Sequence, residues 1–183
     1  YSETHNFEYK GNNFRSKLAA KWAVFFDKMG IIYEYEPECI ELSETLKFIP
    51  TFKIKVFTPN YDKYEDYYVK VTKKPLDEYQ LEQIYSLVRM KKESLLLLEG
   101  PPDLVHYLEY FPCDVIRVES VSVVFDDTKY GLYITGGYDI LEPDDSLEPS
   151  DTKTEAIELA RKLKFNLTQK NMVYSGYLAG TPE

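Results

Sequence analysis

Residues 14–38 read FRSKLAAKWAVFFDKMGIIYEYEPE, and this stretch decides the fold. Phe14, Leu18, Trp22, Phe25 and Met29 recur at helical spacing and make one apolar face, so the pattern predicts a helix over residues 13–29. Gly30 is placed to close it with a left-handed cap. IIYEYEPE then alternates between apolar and polar, as a strand does, with Pro37 near its end.

Outward from there, LKFIPTFKIKVF (residues 46–57) reads as a second strand. TPNYDKYED is a turn-rich connection, and YYVKVTK (residues 67–73) is a third strand, which together predict an antiparallel meander. PLDEYQLEQIYSLVRM is a helix entered at Asp77, which has capping-box spacing to Gln80. SLLLLEG is short and lacks alternation, as a fully buried strand does. A strand, a helix and another strand make a crossover, so residues 95–98 are expected parallel to residues 69–71. PPDLVHYLEYF is expected to form a short helix, with His106 a half-buried packing residue rather than a base. VIRVESVSVVF and GLYIT read as a hairpin joined by DDTKYG. Thr152 and Glu155 have capping-box spacing for a last helix to about residue 165, with Ile157, Ala160 and Leu163 inward. The expected organisation is a flexible arm at 1–12, a core at 13–112, an acidic hairpin-loop-helix extension at 113–170 and a tail at 171–183.

The composition narrows the function. Apolar residues make up 44% of the 183, enough for a real core. The net charge of −9 disfavours broad electrostatic binding to nucleic acid, which needs a clustered positive face. Residues 1–100 hold 15 basic and 16 acidic side chains, against 7 and 15 for residues 101–183, so the excess belongs to the second half. Cys39, Cys113, His5 and His106 have no zinc-site spacing. The two cysteines are expected reduced, in a cytoplasmic protein, and no apolar run reaches transmembrane length. Neither a cofactor nor a metal is expected.

A helix, three strands, a helix and a strand form the core of the PD-(D/E)xK nucleases. FRSKLAAKWAVFFDKMGIIYEYEPE, FIPTFKI, YYVKVTKKP and LLLLEGPPD resemble, in order, segments of a nuclease-like family common in phages and mobile elements. AIELARKLKF carries a weaker similarity. The resemblance spans residues 14–103. It implies an α/β fold of the α+β kind: a restriction-endonuclease-like core with a C-terminal hairpin and helix. Members of that family carry Glu in the first helix, Pro-Asp-Phe in the second strand and Glu-x-Lys in the third. The strand acids hold a divalent cation that supplies hydroxide and neutralises charge on the phosphate, and the lysine helps position the water.

Aligned on those segments, this chain departs at every functional position. The helix acid falls on Ala19, the aspartate on Thr51 within Pro50-Thr51-Phe52, and the Glu-x-Lys pair on Lys70 and Thr72. A threonine hydroxyl is a feeble ligand for Mg²⁺. Lys70 repels a cation, since two like charges a few ångströms apart cost about 1 kcal/mol even at the dielectric of water. Migrated acids are the rival reading: Glu36 with Asp66 or Glu65, using Lys70 or Lys73. The ordinary reading of Glu34, Glu36 and Glu38 is an exposed strand face, all three pointing one way at period 2.

The expected function is therefore that of a catalytically inactive nuclease-fold protein of phage or mobile-element origin. It is expected to bind a host protein with a basic surface, such as a nucleic-acid-binding defence nuclease, and so to inhibit it. Asp139, Glu142, Asp144, Asp145, Glu148 and Asp151 are the expected partner-binding residues, six acids without a base over residues 139–151. The alternatives are an active Mg²⁺-dependent DNA nuclease with migrated acids, and a nucleic-acid-binding module that does not cleave.

Overall fold

The computed structural model describes residues 5–58, 62–102, 106–111, 117–125, 132–135 and 151–169. In chain order the elements are β1 (His5–Tyr9), β2 (Asn12–Phe14), α1 (Lys17–Met29), β3 (Tyr33–Tyr35), β4 (Ile40–Glu41), β5 (Lys47–Phe48), β6 (Phe52–Thr58) and β7 (Lys63–Thr72). Then follow α2 (Glu78–Lys91), β8 (Leu95–Glu99), β9 (His106–Phe111), β10 (Arg117–Phe125), β11 (Leu132–Thr135), α3 (Asp151–Lys162) and β12 (Asn166–Gln169). The protein is mixed α and β. No helix among the described residues is long and apolar enough to cross a membrane.

The principal sheet has the order β11-β10-β9-β8-β7-β6-β3. β3, β6 and β7 form the expected antiparallel meander, with Tyr33 opposite Ile54 and Ile54 opposite Tyr67. β8 runs parallel to β7, Val69 against Leu96, as the crossover through α2 requires. β10 and β11 pair antiparallel as expected. The sheet curls until β11 meets the end of β6, Tyr133 beside Phe57. That last pairing leaves β3 only the first half of β6, where Phe52, Lys53 and Ile54 lie opposite Tyr35, Glu34 and Tyr33.

Alternation along the strands divides the core in two. Phe52, Ile54, Val56, Val69, Leu96 and Leu98 face α1, whose Trp22, Phe25 and Phe26 are at most 1% exposed. On the reverse face Tyr68, Leu95, Leu97 and Tyr110 pack with Ile84, Leu87 and Val88 of α2, and with Ile40 and Phe48 from the β4–β5 hairpin. The single expected apolar face on α1 proves to be an almost complete apolar surround. α3 packs on α1 from the side away from the sheet, with Ala156 and Ala160 fully buried, so α1 is a central layer. Small residues on both helices let them approach closely.

Local chemistry fixes the helix ends. Ser16 is in extended conformation and its side chain accepts from the Ala19 amide at 3.0 Å, so α1 starts four residues later than the apolar spacing suggests. Gly30, at φ 70°, closes it. Asp77 and Gln80 form the reciprocal capping box that opens α2.

Four expectations are corrected. The arm holds a strand: β1 pairs with β2 and with β12, and Phe7 and Tyr9 set their rings edge-on to Phe165. The helix expected over residues 101–111 gives way to β9, which pairs antiparallel with β8 and β10. A helix there would leave the buried strand β8 with an unpaired edge, and that cost overrides local propensity. The strand expected over residues 46–57 is broken after Phe48, around Pro50, which has no N–H for a ladder. Finally α3 begins at Asp151, so Thr152 lies within the helix instead of capping it, and the chain extends again as β12.

Candidate functional site

The aligned strand positions meet where β6 begins. The Thr51 amide donates to the Val69 carbonyl at 2.8 Å, and the Val71 amide donates to the Thr51 hydroxyl at 3.0 Å, so Thr51 brackets Lys70 across the strand boundary. Side chains so placed on neighbouring strands stand roughly 5 Å apart at Cβ, within reach of one shared ion. Thr72 follows two residues along, its hydroxyl engaged with the backbone of Lys74. Ala19 is elsewhere: it is 2% exposed among the apolar side chains between α1 and its neighbours.

Lys70 dominates the electrostatics. It alternates out of the α1 core and lies over the Phe48 ring, its Nζ 5.5 Å from the centroid. Burial first, then the charge of Arg15, lowers its pKa below the usual lysine value, while Glu36 pulls the other way.

Glu36, Asp66 and Glu38 are each held by a cation. The Arg15 guanidinium donates to Glu36 at 2.7 Å, and the Arg15 amide donates to the Tyr35 hydroxyl at 2.9 Å. Asp66 stands 3.0 Å from Lys55 and 3.5 Å from Lys53, and the Lys55 hydrogen bond is the main reason its pKa is lowered. Glu38 accepts from the Tyr68 hydroxyl at 2.7 Å and pairs with Lys91 at 3.4 Å; the phenol is the main reason its pKa is lowered. Burial first, then Glu38, pushes the Tyr68 phenol well above its usual range. Lys53 lies over the Tyr68 ring at 5.2 Å.

The expected common direction of Glu34, Glu36 and Glu38 does not hold. β3 ends at Tyr35, and Glu36 takes a left-handed backbone at φ 44° while its amide donates to the Thr51 carbonyl. That turn breaks the alternation, and the three acids diverge: Glu34 opposite Lys53, Glu36 to Arg15, Glu38 to Tyr68 and Lys91. The migrated set is not brought together. Glu36 sits beside Thr51 while Asp66 lies opposite Lys55, four residues along β6 or about 13 Å. Lys73 is exposed just beyond the end of β7. Among the described residues, no three His, Cys, Asp or Glu side chains are grouped as metal ligands would be.

Asp139, Glu142, Asp144, Asp145 and Glu148 lie outside the described residues, and of Asp151 only the backbone, opening α3, lies within them. Arg15, Lys53, Tyr68 and Lys91 belong to the site although no motif marks them. The two lysines of FKIKVF alternate onto the face opposite the α1 core, which is the one signal the sequence offered.

Compared with protein-family models, with curated proteins and with solved structures, the chain matches none.

Proposed function

We propose that this protein is a catalytically inactive relative of the PD-(D/E)xK nucleases, of phage or mobile-element origin, with a restriction-endonuclease-like core over residues 13–112. It acts by binding a host protein with a basic surface, such as a nucleic-acid-binding defence nuclease. The observation that carries this reading is Lys70 across from Thr51, where a nuclease of this kind needs two carboxylates. A cation entering between them meets an ammonium, and beside it a guanidinium that already holds Glu36, in place of two free carboxylates. The order α1, β3, β6, β7, α2, β8 supports the fold side of the reading.

The binding side rests on charge. The second half of the chain holds the acidic excess, and six of those acids cluster over residues 139–151. Such a surface competes with nucleic acid for a basic groove, and complementary fields raise association rates about 10–10³-fold at low salt. Pull-down from a bacterial host lysate with mass spectrometry identifies the partner. Neutralising Asp139, Glu142, Asp144, Asp145, Glu148 and Asp151 to Asn and Gln then slows association and flattens its salt dependence. An unchanged rate with an unchanged salt slope rejects the acidic surface as the interface.

A further inference from the structure

A second polar site lies at the far end of α1, away from Lys70. β1 and β2 are joined by Lys10 and Gly11, both left-handed at φ 48° and 79°, with Tyr9 opposite Asn12. This is the tight two-residue turn that matches strand twist. It carries Lys10 over the last turn of α1, where Lys10 Nζ lies 3.1 Å from Asp27 Oδ2. Two phenols, Tyr9 and Tyr33, stand within reach of the Asp27 charge. Lys10, Asp27 and Tyr33 line a cleft of about 510 Å³ with Asn12, Ile31 and Ile32.

Three observations mark the cleft as a seat for a positive charge. Asp27 Oδ2 is buried and accepts no hydrogen bond: the Lys10 ammonium is close, but not in hydrogen-bonding alignment. A buried carboxylate oxygen so placed retains acceptor capacity for a better-aligned donor. Burial first, then the charge of Asp27, raises the Tyr9 phenol to about 12 and raises the Tyr33 phenol too, so both stay protonated at neutral pH. Lys10 itself traces how a cation sits here, against Asp27 and 5.7 Å from the Tyr9 ring centroid, yet its side chain is 63% exposed and free to swing out. Ile32, 65% exposed at the mouth, offers an apolar contact for an alkyl stem.

We propose that this cleft binds a primary alkylammonium group, with Asp27 as counter-ion, the Tyr9 ring as cation platform and Lys10 as a built-in competitor. The ligand class is an unbranched protonated amine, either a lysine side chain presented by a protein or a free alkylamine. An incoming ammonium displaces Lys10 and takes the hydrogen bond at Oδ2 that Lys10 does not make. Its stem then lies along Ile31 and Ile32. The inference does not depend on the nuclease reading, since none of these residues touches the Thr51–Lys70 site.

The test is an NMR titration of the intact chain with Nα-acetyl-lysine N-methylamide and with n-butylammonium, read at the Gly11, Gly30 and Ile31 amides. Lys10→Asn removes the competing charge and leaves Asn-Gly, the sequence that favours this turn most, so the fold is retained. If Lys10 fills the seat nine-tenths of the time, the variant binds about tenfold tighter than wild type. Asp27→Asn in that background abolishes binding, and the Nε-acetylated probe fails on every variant. Tighter binding of the peptide-like probe assigns the seat to a protein lysine, and tighter binding of butylammonium to a free amine. The proposal is overturned if Lys10→Asn binds neither amine more tightly than wild type. Equal binding of the acetylated probe overturns it too, and that comparison needs no substitution.

Discussion

Arg15 and Glu36 are joined by a 2.7 Å hydrogen-bonded ion pair that ties the residue before the α1 cap to the end of β3. The pair removes the nearest carboxylate from service beside Thr51 and adds a guanidinium within the field of Lys70. Arg15→Ala lifts the second-largest influence lowering the Lys70 pKa and leaves Glu36 to raise it. The Lys70 titration, followed through its Cε resonance, is expected to move upward in this variant. Stability should change by about 1 kcal/mol or less, because the Arg15 side chain is 61% exposed. An unmoved titration would show that the two cations do not sense each other.

Lys70 carries its own pH signature. Its folded pKa lies below the unfolded value, chiefly through burial. Between those two values the unfolded chain binds more protons, so stability rises with pH there. Lys70→Met has no such dependence. Denaturant unfolding should show the wild type gaining on Lys70→Met as pH climbs through the lowered folded value toward the ordinary lysine range. A difference that shrinks or stays flat over that window contradicts the assignment.

Trp22 is fully buried and its indole donates to the Gly100 carbonyl at 2.9 Å, while the Gly100 amide donates to the Thr72 carbonyl. One side chain thus pins the end of β8 to α1. Trp22→Ala should cost about 3–5 kcal/mol through the cavity it leaves. Trp22→Phe leaves the Gly100 carbonyl short of a donor and should cost about 1–3 kcal/mol. Thermal and denaturant unfolding measure both, and a blue-shifted tryptophan emission should be lost on unfolding.

Tyr68 and Glu38 make the clearest acid-side prediction. The Tyr68 hydroxyl is the largest cause of the lowered Glu38 pKa, so its contribution is present above the ordinary glutamate value. It is lost as pH falls through the folded value. Tyr68→Phe should cost about 1 kcal/mol at neutral pH, since Glu38 is partly solvated. The gap to wild type should close in acid. A gap that persists below the folded Glu38 value means the hydroxyl acts through something else.

Much of the fold was legible because its signals are local. The apolar spacing of Leu18, Trp22 and Phe25 gave α1, and the crossover rule gave the parallel pairing of Val69 with Leu96. The misses are long-range. His5 pairs with Gln169 across almost the whole chain, and nothing near residues 5–9 announces that partner. β9 is a strand because β8 needs a neighbour on that edge. At the site, alignment alone brought Thr51 and Lys70 into view. The ion pairs of Glu36 and Glu38 were not readable, because they depend on the left-handed turn at Glu36, an unusual backbone for that residue.

The central claim is that Lys70 and the paired acids leave no place for catalytic metal. The most direct measurement is cleavage of double- and single-stranded DNA by the intact protein with Mg²⁺ or Mn²⁺, alongside Glu36→Gln. The account predicts no metal-dependent cleavage above the protein-free control for either protein. Metal-dependent cleavage by the wild type that disappears in Glu36→Gln would contradict it.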